Sequence, residues 1–242
     1  LLMVLDNLQD LNVTDVFYKG KLVDRNAPIR VKTCGRALKH TVHLDKVKAE
    51  QFVLPIGKKK THVIGINPSQ ITTEDLAVSL QPAANYVPTD GYSKVAAVER
   101  HHNTGKIGVA VAKGYGIRNG AVASSVSHDS HNIIVIGDND RDMALAVDEI
   151  IRTQGGYTVV ENGEVFETLP LPIMGLMSDA GFESVNETLG RMIKKAHEMG
   201  VPADIEPFIT LSFLALPVIP TLRITPRGLC LLTAKGPEIL QE

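Results

Sequence analysis

The fold of this chain is decided by the stretch Gly120-Ala-Val-Ala-Ser-Ser-Val-Ser-His-Asp-Ser-His-Asn-Ile-Ile-Val-Ile-Gly-Asp138. Its two apolar runs, at residues 121–127 and 133–136, are typical of buried strands. Between them, the segment Ser127-His-Asp-Ser-His-Asn132 brings two imidazoles and one carboxylate into four residues. Nitrogen and oxygen groups concentrated at a strand end indicate a place where a metal ion or a polar substrate is bound.

The composition is that of an ordinary globular protein, with 242 residues, 44% of them apolar and 21% charged. This length accommodates one large or two small domains. The net charge is −2 and the densest basic run, Lys58-Lys59-Lys60, precedes a predicted strand, so we expect no nucleic-acid partner. Apolar runs fall short of the roughly 18 residues that a membrane span needs, so we expect no membrane segment.

Cysteine usage and the first residues bear on where the protein works and how much of it is present. Cys34 and Cys230 are the two cysteines and lie far apart, which argues against a disulfide framework and favours a reducing, cytoplasmic setting. The chain opens on Leu1-Leu-Met-Val-Leu-Asp6, which resembles the middle of a strand rather than a natural start. We therefore expect further sequence upstream.

The pattern along the chain predicts two structured regions joined by a connection. We predict short strands at residues 1–5 and 13–23, then a connection over 27–56 in which residues 30–32 and 42–44 could form short strands. From residue 57, further strands are predicted at 63–66 and 94–100, with 107–112 either a strand or the start of a helix. Helices are predicted at 74–80, 140–153 and 183–199, and the pair Asn162-Gly163 predicts a hairpin.

These elements indicate an α/β or α+β fold, with a layered mixed sheet and two or three helices. The hairpin argues against an all-parallel sheet. The most apolar segment, residues 208–220, is broken by Pro217 and Pro220, and we interpret it as buried core.

Two polar clusters are candidates for a site, and each has a plain alternative. His128, Asp129 and His131 lie in a loop between strands, where they could form a ligand or proton-transfer cluster or a simple polar turn. The second cluster, Glu99-Arg-His-His-Asn-Thr-Gly105, follows a strand. It could present a cation and the imidazoles of His101 and His102 to a polar ligand, or be an exposed loop.

An ordered set of phrases across residues 57–229 resembles the C-terminal domain of adenine deaminases, which belong to the metal-dependent amidohydrolase superfamily. Residues 1–26 resemble the closing strands of the small β-sandwich that amidohydrolases build beside their barrel, with Val16-Phe-Tyr-Lys-Gly-Lys-Leu-Val23 as the telling phrase. The phrases that carry the resemblance in the larger domain are Val98-Glu-Arg-His-His102, Ser127-His-Asp-Ser-His-Asn-Ile133, Asp142-Met-Ala-Leu-Ala-Val147, Leu169-Pro-Leu-Pro-Ile-Met-Gly-Leu-Met-Ser-Asp179 and Leu211-Ser-Phe-Leu-Ala-Leu-Pro-Val-Ile-Pro220.

The resemblance implies that the parent enzyme hydrolyses adenine to hypoxanthine and ammonia in purine metabolism. A metal-activated water would attack C6 of the purine, and an acid would protonate the leaving amine. The family's metal, manganese or iron, is held in an upstream (β/α)₈ barrel with ligands that include an HxH pair, and this chain has no such pair. We therefore expect the chain to be the C-terminal part of such an enzyme, inactive alone, with no metal of its own.

Three roles for the domain remain open at this stage. It could supply a pocket wall or lid over the barrel, with His101, His102, His128, Asp129 and His131 facing the purine or surrounding the metal ligands. It could instead be a non-catalytic module that holds a homo-oligomer together through residues 208–220. Least favoured is a separate metal bound by His128, Asp129 and His131, because one short loop offers few ligands.

Overall fold

The computed structural model describes residues 1–24, 26–27, 34–89 and 91–240, and its contacts divide the chain into two units, Leu1–Thr33 and Cys34–Glu242. The first unit contains an antiparallel sheet in the order β1-β2-β3. Lys19 and Gly20 join the last two strands with φ angles of 49° and 75°, as a two-residue hairpin turn requires. The strands predicted at residues 1–5 and 13–23 are thus confirmed, as β1 (Leu2–Leu5), β2 (Val13–Tyr18) and β3 (Lys21–Leu22). The strand predicted at 30–32 lies outside the described residues.

The second unit is built on an eight-stranded sheet in the order β11-β10-β8-β9-β6-β7-β4-β5. The pair β4 and β7 is parallel, and the other described pairs are antiparallel, so the predicted mixed sheet is confirmed. The segment 107–112, left open between strand and helix, is a strand. The strands are β4 (Thr61–Ile66), β5 (Thr73–Val78), β6 (Tyr92–Val98), β7 (Ile107–Lys113), β8 (Gly120–Ser124), β9 (Ile133–Gly137), β10 (Gly156–Glu161) and β11 (Glu164–Pro170).

The helices follow the patterns expected of them. The predicted helices at 140–153 and 183–199 are confirmed as α1 (Asp140–Thr153) and α2 (Phe182–Glu198), and α1 begins where the Asn139 side chain accepts the amide of Asp142. The hairpin at Asn162-Gly163 joins β10 and β11. The remaining described elements are α3 (Pro207–Leu214), two short 3₁₀ helices (Arg36–Lys39 and Ala49–Phe52), and a small antiparallel sheet of β12 (Leu222–Thr225), β13 (Gly228–Thr233) and β14 (Gly236–Ile239).

The sheet is the middle layer of three, and alternate residues of β9 show how the layers are made. Ile133 and Val135 pack against α1, whereas Ile134 and Ile136 pack on the opposite face with α2, α3 and the small sheet. Successive side chains of a strand point to opposite faces, so a strand covered on both sides has a continuous apolar sequence. This explains the two apolar runs on either side of the polar segment.

Residues 42–56 belong to the core of the second unit. Val42, Val47 and Phe52 pack with α1 on one face of the sheet. The strand predicted at residues 42–44 does not form, because the amides of Val42 and His43 donate to the Gln154 side chain and the Arg100 carbonyl and not to a row of strand partners. The Val42 amide donates to Gln154 Oε1 at 3.3 Å and the Val47 amide to Asp148 Oδ1 at 3.0 Å.

The helix predicted at residues 74–80 is wrong: Thr73–Val78 forms β5, which pairs antiparallel with β4. The two threonines before it resemble a helix cap, but Leu76, Val78 and Leu80 recur at every second position. All three pack against the cluster formed by Leu54 and its neighbours. A period of two is the spacing of a half-buried strand.

The apolar segment 208–220 is only partly buried. Phe208, Leu211 and Leu214 of α3 contribute to the core, but Ile209 is 56% exposed and Val218 is 62% exposed. Within the described part of the chain, no helix is both long and apolar enough to cross a membrane.

Candidate functional site

The histidine loop, residues 125–132, connects the two buried strands β8 and β9. Its chain reversal is closed by a 2.6 Å hydrogen bond from the His131 amide to the Ser127 carbonyl, and His131 takes a positive φ of 49°. The loop is also attached to α3, because the His128 amide donates to the Ser212 carbonyl at 3.2 Å. Buried strands on both sides and a helix beside it therefore hold the polar segment in one place.

The second polar cluster lies next to the histidine loop because of strand pairing. Val98, the last residue of β6, pairs with Ile133, the first residue of β9. The segments that flank these two positions, 99–105 and 125–132, must therefore emerge at the same edge of the sheet. His101 joins them directly, since its Nε2 donates to the Ser130 carbonyl at 2.8 Å. That bond fixes the tautomer of His101.

Glu99 organises the second cluster from within. Its carboxylate accepts the backbone amides of His101, His102 and Thr104, the last two at 3.0 and 3.1 Å, and also the Thr104 hydroxyl at 3.0 Å. Burial alone would raise the pKa of Glu99, but these hydrogen bonds outweigh it and leave the pKa below its usual value. Glu99 therefore remains ionised and holds the loop, and is not available as an acid.

Arg100 is turned inward and is 1% exposed, so it is not the accessible cation that its cluster suggested. Its guanidinium donates to the carbonyls of His131, Thr41 and Met174, the last two at 3.0 Å. Burial lowers the pKa of Arg100 to about 10, opposed by the charge of Glu99, so the group remains a cation at neutral pH. One buried cation thus joins three loops at the edge of the sheet.

His131 is half-buried, and its Nδ1 atom is fully enclosed with no hydrogen-bond partner among the described residues. Burial and the neighbouring charges of Arg100 and His128 lower the pKa of His131. The imidazole is therefore neutral at neutral pH. The hydroxyls of Ser127 and Ser212, at the same junction of loop and α3, are also buried and have no hydrogen-bond partner within the described part of the chain.

His128 and Asp129 face outward. The side chains of His128 and Asp129 are 42% and 85% exposed, and His128 Nδ1 lies 3.8 Å from an Asp129 carboxylate oxygen. The His128 ring packs on Phe213 with ring centroids 4.7 Å apart. Phe213 also lines a cleft of about 300 Å³ between α3 and the β4–β5 turn. The histidine loop therefore borders a cleft with apolar walls.

The structure joins four of the five predicted site residues at the histidine loop, and the ring of the fifth, His102, lies 6.3 Å from that of His101. His128, Asp129 and His131 share one loop, and His101 is hydrogen-bonded to it, whereas His102 lines a different cleft of about 400 Å³ with Lys106 and Arg227. Among the described residues, no group of three or more His, Cys, Asp or Glu side chains is arranged to hold a metal ion. The geometry thus gives no support to a metal bound by His128, Asp129 and His131.

At this edge, Ser212 and the inward role of Arg100 were not predicted from the sequence. Ser212 is a buried hydroxyl in the most apolar helix, and that contrast was a usable signal. The sequence carries no such signal for Arg100, which joins loops inside the protein, because its partners are backbone carbonyls distant in sequence.

Comparison with known proteins now adds to this geometry. A family model described as the adenine deaminase C-terminal domain matches residues 70–235. The chain is 49% identical over 229 residues to an adenine deaminase of Desulfitobacterium hafniense, and 44% identical over 233 residues to one of Nitratidesulfovibrio vulgaris. Each alignment covers 94% of this chain but 40% of the relative, so the chain spans about two fifths of the length of these relatives. The chain belongs to the adenine deaminase C-terminal domain family.

Proposed function

We propose that this chain is the C-terminal part of an enzyme that hydrolyses adenine to hypoxanthine and ammonia, in purine metabolism and in the cytoplasm. The observation that carries the proposal is the 49% identity over 229 residues to a protein named adenine deaminase. In this reaction the oxygen of one water molecule forms a bond to C6 of the purine. The bond from C6 to the amino nitrogen then breaks, and a proton moves to the leaving nitrogen.

The catalytic centre in this proposal lies in the upstream amidohydrolase barrel and not in this chain. A divalent metal there, manganese or iron, lowers the pKa of a bound water when present. The described residues of this chain do not fit such a metal, since no three of their His, Cys, Asp and Glu side chains are arranged to hold a metal ion. In this proposal the domain contributes binding, orientation and exclusion of water.

The histidine loop is the part of the domain that we propose to face the barrel. His128 and Asp129 are the exposed groups that would meet the purine or the rim of its pocket. His131 is half-buried and neutral, so its ring can lie beside an uncharged base without bringing a charge into the pocket. His101 acts through the loop backbone as a positioning residue. His102 lies in the other cleft and would contact a different part of the parent enzyme.

We also propose that the domain takes part in a homo-oligomer, as the alternative role suggested. The supporting observation is the outward placement of Ile209 and Val218, which are 56% and 62% exposed in the otherwise core-forming segment 208–220. Sedimentation of the chain with Ile209→Asp, compared with the unchanged chain, tests this role. A strict monomer at high concentration before substitution would exclude self-association through this segment.

A hybrid enzyme tests the deaminase proposal. This chain replaces the 229 aligned residues of the Desulfitobacterium relative, so that the upstream part of that protein precedes it. We expect the hybrid to convert adenine to hypoxanthine, followed by ultraviolet absorbance with added Mn²⁺, and the 242-residue chain alone to be inactive. Activity of the chain alone would contradict the proposal that the catalytic centre lies in the upstream barrel. A folded but inactive hybrid beside an active parent enzyme would count against the function.

A further inference from the structure

An apolar face of the second unit lies beside the histidine loop and is formed by Leu38, Met174 and Met177. These side chains are 41%, 44% and 52% exposed. The three residues adjoin one another through the backbone, because the Met174 amide donates to the Leu38 carbonyl at 2.7 Å, and Met177 pairs with Ile173 across the same turn. Apolar side chains scattered singly over a surface are ordinary, but three that adjoin one another indicate an interaction site. We call this surface the methionine face.

Hydrogen bonds from buried side chains fix the backbone of the methionine face. Arg100 donates to the Met174 carbonyl, and the Ser125 hydroxyl donates to the Gly175 carbonyl at 2.6 Å. Gly175 has a φ of +72°, and a Cβ there would come within 2.8 Å of the Arg100 guanidinium, so the turn lies directly on the buried cation. A surface that is already ordered loses little conformational entropy when a partner covers it. The exposed methionines are therefore presented in a fixed position, and their flexible thioether side chains suit them to an irregular partner.

We propose that the methionine face docks on the upstream part of the same polypeptide, the three fifths of the parent enzyme that precede this chain. The inference rests on the proposed function. Its first support is length, since the relatives extend well beyond the 40% that the chain covers. Its second support is the path of the backbone. The second unit starts at Cys34, and the 3₁₀ helix Arg36–Lys39, which carries Leu38, is its first element. The chain therefore enters the second unit close to Leu38.

Docking at this face would also fix the position of the histidine loop. The guanidinium that holds the Met174 carbonyl holds the His131 carbonyl as well. A partner that covers Met174 is therefore separated from the histidine loop by one buried side chain. In the docked enzyme the loop would be fixed at the edge of the interface. This is the position that the proposed wall or lid of a neighbouring active site requires.

Methionine oxidation gives a direct test, because hydrogen peroxide converts exposed methionines to sulfoxides and spares enclosed ones. In the second unit, Met143, Met192 and Met199 are 0%, 0% and 5% exposed and serve as internal controls. Peptide mass spectrometry would compare oxidation rates in the 242-residue chain and in the hybrid enzyme. We expect Met174 and Met177 to oxidise rapidly in the chain alone and at least about fivefold more slowly in the hybrid.

The outcomes separate this inference from the proposed function. If Met174 and Met177 oxidise as fast in an active hybrid as in the chain alone, the docking is wrong and the proposed function still holds. Protection of both in a hybrid without adenine turnover would support the docking and count against the function. Protection that appears in the chain alone and grows with its concentration would mean that a second copy covers the face, and would overturn the proposal. If the three buried methionines became reactive, the hybrid would be misfolded, and a hybrid with the Nitratidesulfovibrio relative would replace it.

A charged substitution supplies the second test. Met177→Asp in the hybrid should remove the protection of Met174 and lower adenine turnover at least about fivefold, because a carboxylate would be buried in an apolar interface. The control is Val87→Asp, at a position that is 71% exposed and lies between β5 and β6. It should change neither quantity. If Met177→Asp leaves both quantities as they were, the methionine face is not the interface.

Discussion

Nη2 of Arg100 donates a hydrogen bond of 3.0 Å to the backbone carbonyl of Met174. The same guanidinium also donates to the carbonyls of Thr41 and His131, and its partners in the described part of the chain are all carbonyl or hydroxyl oxygens. A buried cation that carbonyl dipoles satisfy cannot leave without stranding several acceptors. Arg100 therefore makes one rigid unit of the candidate site and the methionine face.

Arg100→Lys should destabilise the chain by about 2–4 kcal/mol, since an ammonium has one nitrogen and cannot reach carbonyls on three separate loops. Urea unfolding of the 242-residue chain measures the change. Arg227→Lys, at an exposed position, is the matched control and should stay within about 0.5 kcal/mol. Equal stabilities for the two variants would mean that Arg100 does not join the loops as described.

A pair of glycine substitutions tests how closely the Met174–Gly175 turn approaches Arg100. Gly175→Ala should cost about 1–3 kcal/mol, because the residue has a φ of +72° and a new Cβ would lie 2.8 Å from the guanidinium. Gly190→Ala is the control, within α2, where a Cβ meets no atom within 4 Å. It should instead stabilise the chain by about 0.5–1 kcal/mol, because alanine favours a helix more than glycine does. Thermal unfolding of both variants would show opposite shifts, and shifts of the same sign would contradict the geometry.

Much of the second unit could be predicted from local patterns, and β8, β9, α1, α2 and the Asn162-Gly163 hairpin are the clearest cases. Each has a short-range signal: a buried apolar run, a cap with a helical stripe, or a turn that needs positive φ. β5 was mistaken for a helix because its exposed edge position tolerates the acidic residues Glu74 and Asp75. Its apolar spacing of two was the better guide.

Only part of the candidate site could be predicted from the sequence. The histidines of both clusters are marked by their type, and pairing of β6 with β9 brings His101 to the histidine loop. That pairing depends on which strands become neighbours, and no single segment encodes it. The inward turn of Arg100 and the placement of His102 at another cleft likewise follow from tertiary packing, so they required the structure.

Acid should destabilise the chain through two groups whose pKa values are lowered in the folded state. For His131, the unfolded state takes up its proton first as the pH falls below the usual pKa of 6.5, so stability is lost from there down through the folded pKa. For Glu99, the same loss begins below the usual pKa of 4.5 and continues through its lower folded pKa.

Two variants separate these losses of stability. His131→Gln should flatten the change below pH 6.5, and Glu99→Gln should flatten the change below pH 4.5 while weakening the chain at neutral pH. Urea midpoints measured from about pH 7.5 to about pH 3.5 would give both slopes. A wild-type slope that persists in His131→Gln would show that burial of His131 does not govern the first loss.

The proposed role of the histidine loop makes a final prediction about His128, which is exposed and packs its ring on Phe213. His128→Ala should leave the stability of the chain within about 0.5 kcal/mol, because little buried surface is lost. In the hybrid enzyme the same change should lower adenine turnover at least about tenfold if the imidazole meets the purine or its pocket. Structural damage would move both quantities, whereas a functional contact moves only the second.

His62→Ala is the matched control for this prediction. The His62 side chain is 39% exposed, compared with 42% for His128, and it also has a partner, Asp75, at 2.9 Å. It lies on β4, whose neighbours are β7 and β5 at one end of the sheet, away from the β8–β9 connection. Its removal should therefore leave turnover of the hybrid unchanged. If His62→Ala and His128→Ala had the same effect on turnover, the loss would come from general perturbation of the domain, and the histidine loop would have no special place in the reaction.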